Sequence, residues 1–171
     1  MDIYEAIKTR RSVRSYRPKE VSEETLKKIM GAVRLAPSTH NLQEYKFIIV
    51  KDQEKKRGLF KAASEQEFIN EAPVVIAAVA LNPDYMMECN VPAYPVDLAI
   101  ALDHLTLAAV EEDLGTCWIG AFNQEEVKKI LNIPAKYLVV ALMTLGTPYD
   151  EPGIKSRKNT GDLVCYEEFS E

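Results

Sequence analysis

The sequence predicts one compact domain in which helices and strands alternate around a shared core. Its 171 residues fall within the usual size of a single domain, and 47% hydrophobic with 27% charged residues is typical of globular proteins. Apolar segments at residues 74–81 and 137–145 predict central strands, and a long apolar segment at residues 96–114 predicts a core helix. A mixed helix-and-strand fold follows.

The N-terminal half is predicted to contain three helices, a loop and a strand. Ile3, Ala6 and Ile7 fall on one face of a short first helix. Ser22 can cap a second helix, which must end before Pro37. The remaining segments are a loop at residues 36–43, a strand at residues 45–50 and a helix at residues 53–64.

The C-terminal half is predicted to hold the centre of the core. Residues 74–81 are apolar without alternation, which favours a strand covered on both faces, and a proline-containing loop follows at residues 82–95. Of the 19 residues 96–114, 12 are apolar, so this helix should be buried on most sides. The remaining elements are a strand at residues 116–119, a helix at residues 123–131 with a capping box, and a strand at residues 137–145.

The tail at residues 147–171 differs from the rest because it contains few apolar residues. It carries three basic side chains close together, Lys155, Arg157 and Lys158. Such a segment cannot bury much surface by itself. We expect it either to fray or to wrap around a partner subunit.

Arg10, Arg11, Ser12 and Arg14 form a cluster that is suited to holding an anion. Residues 1–19 carry six basic side chains against two acidic ones, although the whole chain has a net charge of -5. Arginine presents a planar fork of donors that matches phosphate and stays charged at any working pH. The alternative interpretation is an exposed basic stretch that aids solubility.

Composition and cysteine count exclude several other functions. The pI of about 5.2 argues against a general nucleic-acid binder. The first residues lack a signal-peptide pattern, the longest apolar run is short, and the five acidic residues in the core helix exclude a membrane span, so a cytoplasmic location is expected. Three widely spaced cysteines and two distant histidines suggest neither a disulfide framework nor a metal site.

Four motifs together resemble the nitroreductase family of FMN-dependent flavoproteins. Their order and spacing both agree with the family, and the resemblance covers essentially the whole chain. The motifs are Arg10-Arg11-Ser12-Val13-Arg14, Ala36-Pro37-Ser38-Thr39-His40-Asn41-Leu42-Gln43, Gly115-Thr116-Cys117-Trp118-Ile119-Gly120 and Arg157-Lys158.

The resemblance implies an α+β fold with a central mixed sheet flanked by helices, built as one domain over residues 1–171. It also implies an intertwined homodimer that binds two FMN molecules in the subunit interface. Each flavin would then touch both chains, and the tail at residues 147–171 would pack on the partner subunit.

The same resemblance assigns the cofactor-binding residues. Arg10, Arg11, Ser12 and Arg14 correspond to ligands of the phosphate, ribityl chain and pyrimidine edge of FMN, and Arg157 with Lys158 would close on the phosphate. Residues from the loop, which would reach the flavin of the other subunit, and residues near the isoalloxazine ring complete the set: Pro37, Ser38, Thr39, Asn41, Gln66, Ile119 and Gly120. Trp118 is expected in the core, as is usual for a single tryptophan.

The implied activity is transfer of electrons from NAD(P)H to a nitroaromatic, quinone or similar conjugated acceptor by a ping-pong mechanism. No catalytic side chain is required because the flavin carries the redox chemistry. Three alternatives stay open. The flavin could serve dehalogenation or flavin breakdown, the protein could be a flavin-binding module without efficient turnover, or the arginines could hold another phosphate ligand on an unrelated fold.

Overall fold

Helices and strands alternate through the part of the chain that a computed structural model describes, residues 1–150, 152–153 and 155–170. The elements are α1 (Ile3–Thr9), α2 (Glu23–Arg34), β1 (Tyr45–Val50), α3 (Gln53–Ala62), α4 (Phe68–Glu71), β2 (Val74–Ala80), α5 (Ala93–Glu111), β3 (Gly115–Ile119), α6 (Gln124–Leu131) and β4 (Leu138–Gly146). The α+β class predicted from the sequence is confirmed.

The four strands form one antiparallel sheet in the order β1-β2-β4-β3. The mixed sheet implied by the resemblance is therefore wrong, because every strand pair is antiparallel. The one parallel contact among the described residues is an isolated bridge between Ser12 and Thr116 of β3. This bridge brings the N-terminal segment alongside β3, which is an edge strand of the sheet. The predicted anion-binding cluster is therefore anchored to the sheet.

Both faces of the sheet are covered, as the apolar pattern of β2 predicts. Because side chains alternate along a strand, Val75 and Ala77 enter a core with α3, α4 and α6, whereas Val74 and Ile76 enter a core with α2 and α5. All residues of β2 are buried. The domain thus has two hydrophobic layers, one on each side of a single sheet.

Helix α5 differs from its prediction in where it begins and in how much of it is buried. It starts at Ala93, with Pro95 accommodated in the first turn, where a missing N–H costs no hydrogen bond. Leu98, Leu102 and Leu105 are completely buried against the core, whereas Val96 is 38% exposed. Within the described residues, α5 is also the one helix that is long and apolar enough for a membrane span, but here its buried leucines belong to the core.

Local sequence signals explain most helix ends. Ser22, Asp52 and Asn123 each accept a backbone N–H three residues further on, and these contacts fix the starts of α2, α3 and α6. The second half of the expected capping box in α6 is not formed, because the N–H of Asn123 donates to the Ala62 carbonyl at 2.7 Å. Helix α4 was not predicted, since four residues are too few to show a helical period.

The N-terminal segment docks tightly on β3 and β4. The Val13 N–H donates to the Thr116 carbonyl at 2.9 Å, and a Cβ added at Gly115 would lie 2.8 Å from the Cβ of Val13. Only glycine allows this approach. Tyr16 completes the contact, because its hydroxyl lies 2.7 Å from the Thr144 hydroxyl and donates to the Val13 carbonyl at 2.8 Å.

Tyr16→Phe is expected to destabilise the fold by about 1–3 kcal/mol, since it leaves buried polar partners unsatisfied. Burial raises the pKa of Tyr16, so the folded protein keeps a proton that the unfolded chain releases above about pH 10. Stability should therefore fall above that pH in the wild type, and less steeply in Tyr16→Phe. Urea denaturation at neutral and alkaline pH measures both effects, and equal alkaline slopes would contradict the assignment.

Candidate functional site

Arg10 and Ser12 line a cleft of about 250 Å³ at the outer edge of the sheet. Thr116 and Trp118 of β3 form one side of this cleft, and Asp103 of α5 lies on the other. Arg10 and Ser12 are half-buried. The cleft therefore combines a guanidinium, three hydroxyls, a carboxylate and an aromatic ring.

Arg14 and Ser12 line a second cleft, of about 300 Å³, together with Lys155 of the tail. Arg14 is exposed, and its guanidinium carbon lies 6.0 Å from the ring centroid of Phe68. Burial raises the pKa of the Cys117 thiol, while the positive charges of Arg14 and Lys155 oppose that rise. Both cations therefore act on the same part of β3.

Lys155 is a candidate site residue that the family resemblance does not assign. Its charge is visible in the sequence, because Lys155 belongs to the basic group of the tail, but the family motif contains only Arg157 and Lys158. The structure places Lys155 beside Ser12 and Arg14.

The guanidinium groups of this segment are not neutralised by neighbouring carboxylates. Across residues 1–150, 152–153 and 155–170, no carboxylate oxygen lies within 4.0 Å of Arg10, Arg11 or Arg14. Arg11 instead donates to the carbonyls of Lys8 and Arg10 at 2.6 and 2.8 Å, at the end of α1. Arg10 and Arg14 are thus the cations of this cluster that are placed to hold an anion.

Trp118 is not a core residue, so that prediction was wrong. The ring is 43% exposed, while Cys117 and Ile119 beside it are buried. Alternation along β3 turns these two neighbours into the core and Trp118 toward the cleft of Arg10. The residue type predicted burial, but an edge strand has one face that this chain leaves partly open.

Gly120 and Gln66 lie at the end of β3, near Trp118. A Cβ added at Gly120 would meet only the Trp118 Nε1 atom within 4 Å, at 3.8 Å, so the surface over this glycine is open. The Gln66 Nε2 atom donates to the Ala63 carbonyl at 2.9 Å and approaches the Ala121 carbonyl at 3.5 Å. Ile119 is only 2% exposed and belongs to the core beside Cys117.

The loop that contains Pro37, Ser38, Thr39 and Asn41 lies elsewhere, at the start of α5. Thr39 contacts Asp97 of that helix, and none of the four residues lines either cleft of the basic segment. Pro37 and Asn41 are exposed, and Ser38 and Thr39 are half-buried.

Arg157 and Lys158 are exposed and line neither cleft. The Arg157 guanidinium donates to the backbone carbonyl of the preceding residue, Ser156, at 2.9 Å. One chain therefore places Arg10, Ser12 and Arg14 in the two clefts beside β3. Gly120 and Gln66 lie at the end of that strand without lining either cleft, and the loop and the two basic residues of the tail also lie outside both clefts.

Comparison with known proteins agrees with this fold. A model of the nitroreductase family matches residues 7–91 and 61–147. The FMN reductase [NAD(P)H] of Bacillus subtilis is 33% identical in an alignment of 173 positions that covers 91% of this chain and 70% of that protein.

Two solved structures show the same fold. A nitroreductase family protein from Clostridium novyi NT has 37% identity and a TM-score of 0.83, over 91% of this chain and 89% of that one. An FMN-dependent nitroreductase from Clostridium difficile R20291 has 30% identity and a TM-score of 0.81, over 96% and 98% of the two chains.

An α+β domain with these relatives and an unneutralised arginine cluster is an FMN-dependent oxidoreductase that uses NAD(P)H. The chain belongs to the nitroreductase family. The residues present fit the cofactor, because Arg10 and Arg14 can neutralise a phosphate that carries nearly two negative charges. The open surface at Trp118 and Gly120 suits a planar ring.

Proposed function

We propose that two copies of this chain form a homodimer in which both chains hold each FMN, and that the enzyme passes electrons from NAD(P)H to nitroaromatic, quinone or similar conjugated acceptors by a ping-pong mechanism. The observation that carries the proposal is the separation of the basic clefts from the loop at residues 37–41. A second copy can supply the loop that one chain holds away from its own clefts.

Exposed apolar side chains support the homodimer. Helix α1 packs on α5, yet Ile3, Tyr4 and Ile7 of α1 are 55–82% exposed. On α5 itself, Val96 is 38% exposed. Apolar faces of this kind on two packed helices mark an interaction surface.

The tail supports the same assembly. Every described residue from 155 to 170 is exposed, including Tyr166 at 89% and Phe169 at 86%. Aromatic side chains gain stability when they are buried, and the tail finds no burial on its own chain. In the proposed dimer the tail packs on the partner subunit, and Arg157 with Lys158 reaches the phosphate.

The chain's own residues have distinct tasks in this proposal. Arg10 and Arg14 bind the phosphate and favour negative charge near β3, and Ser12 donates or accepts a hydrogen bond beside them. Gly120 allows close approach of a flat ligand, and Gln66 lies next to the same turn. FMN, when bound, supplies the hydride and electron transfer chemistry.

A shared pocket supports the ping-pong order. The sequence contains no G-x-G-x-x-G fingerprint, and in the proposed enzyme NAD(P)H and the acceptor use the same open surface at Trp118 and Gly120. Two ligands that need one surface bind in turn, with the first product leaving before the second substrate enters.

Initial rates at several concentrations of NAD(P)H and of a quinone or nitroaromatic acceptor are expected to give parallel double-reciprocal lines. The physical reason is that each substrate meets the enzyme only after the other has left. Lines that intersect would contradict the proposal. Rapid bleaching of the flavin by NAD(P)H alone under anaerobic conditions would exclude a binding module, and oxygen-dependent loss of the flavin would favour flavin breakdown.

A further inference from the structure

The loop at residues 37–43 has a backbone that needs support from outside. His40, Asn41 and Gln43 have φ values of 50°, 57° and 53°, in the left-handed region that residues with a Cβ rarely adopt. Each such residue costs about 1 kcal/mol or more unless the surroundings hold it in place. Three of them within four positions make the loop dependent on its contacts.

Asp97 of α5 provides the strongest of these contacts. Its Oδ1 atom accepts a hydrogen bond from the Thr39 N–H at 2.9 Å and another from the Thr39 hydroxyl, also at 2.9 Å. Asp97 is only 7% exposed, and among the ion pairs of the described residues none involves Asp97. Burying a charged carboxylate is costly unless hydrogen bonds compensate, and both hydrogen bonds to this oxygen come from Thr39.

We propose that Asp97 is a positioning residue for cofactor binding, which fixes Thr39 and thereby the loop that reaches FMN in the partner subunit. The inference rests on the proposed function, because the role of the loop does. A single oxygen that accepts from both the backbone and the side chain of Thr39 permits one orientation of that residue. The left-handed residues His40 and Asn41 come directly after Thr39 in the chain, so the orientation of Thr39 also sets the position of Asn41.

Tyr45 provides a matched control within the same small cavity. Tyr45, Thr39 and Asp97 line a cavity of about 10 Å³, and the buried Tyr45 hydroxyl has no hydrogen-bond partner among the described residues. Burial, and then the charge of Asp97, raises the pKa of Tyr45. Removing this hydroxyl disturbs the cavity without breaking a contact to the loop.

The test compares Asp97→Ala, Asp97→Asn and Tyr45→Phe in the full-length protein. FMN dissociation constants are measured by quenching of flavin fluorescence, and hydrogen exchange of the Thr39 amide is followed in the protein without FMN. Asp97→Ala is expected to raise the dissociation constant at least about tenfold, because bonds to a charged acceptor are lost, and to speed exchange at Thr39. Asp97→Asn keeps an acceptor oxygen and should restore most of the affinity, while Tyr45→Phe should match the wild type.

Three results would overturn the inference. They are an unchanged dissociation constant in Asp97→Ala, an equal loss in Asp97→Ala and Tyr45→Phe, and faster exchange at Thr39 without any loss of FMN affinity. If Asp97→Ala does not fold, Thr39→Val removes one of the two donors and is expected to weaken FMN binding in the same direction. Neither readout needs an acceptor, so a wild type that binds FMN but does not turn over would refute the proposed electron transfer and leave both the role of the loop and this inference standing.

Discussion

Arg10→Ala is expected to raise the FMN dissociation constant about 10- to 100-fold while the fold stays intact, since a hydrogen bond to a charged group contributes about 1.5–3 kcal/mol. Arg10 is half-buried at the cleft beside Thr116 and Trp118. It has no carboxylate partner among the described residues, so the substitution removes a contact to the ligand and no ion pair of the folded chain.

Arg17→Ala is the matched control for this experiment. Arg17 belongs to the same basic segment, but its Nε atom donates to the Pro148 carbonyl at 3.0 Å and its guanidinium carbon lies 5.9 Å from the Tyr149 ring centroid. Loss of Arg17 lowers the charge of the segment equally, without removing a residue of either cleft. Flavin fluorescence titration and a urea denaturation curve separate lost affinity from lost stability.

Arg157→Ala extends the test to the tail. We expect weaker FMN binding there as well, because the proposed dimer brings Arg157 to the phosphate. An unchanged dissociation constant in both Arg10→Ala and Arg157→Ala would remove the phosphate assignment. Loss in Arg10→Ala alone would restrict the phosphate site to the N-terminal segment.

Elements whose signals are local were predictable from the sequence. Ser22 and Asn123 cap helices because a side-chain oxygen three residues before a backbone N–H can bond it in any tertiary context. The unbroken apolar run of β2 likewise requires cover on both faces. The arginine cluster could be identified because residue type and local charge are visible without a fold.

Features that depend on distant contacts were not predictable. Trp118 is exposed because β3 lies at the sheet edge, and no pattern in the surrounding sequence indicates that β3 is an edge strand. Asp97 holds Thr39 across 58 residues of sequence, and no local pattern indicates that contact. The apolar pattern of α5 predicts more burial than one chain provides. Such a pattern does not distinguish cover by the same chain from cover by a second chain.

Ile7→Asp is expected to convert the dimer into monomers and to abolish tight FMN binding. Ile7 is 55% exposed on α1, next to the exposed Ile3 and Tyr4, while the neighbouring Ala6 is buried and anchors α1 to the core. A carboxylate buried in an apolar interface without a partner costs several kcal/mol, which is enough to dissociate a dimer at working concentrations. The monomer would keep its own fold but lose the loop and tail of its partner.

Light scattering after size-exclusion chromatography measures the mass, which should fall from about twice 19.3 kDa to that of one chain. Lys129→Glu, an exposed charge substitution on α6, should leave both mass and FMN binding unchanged. A wild type that is monomeric and still binds FMN tightly would refute the two-chain site. A dimeric Ile7→Asp protein with normal affinity would instead place the interface away from α1. The decisive result would be that Ile7→Asp loses the dimer and tight FMN binding together, because a site shared between two chains couples cofactor affinity to dimer formation.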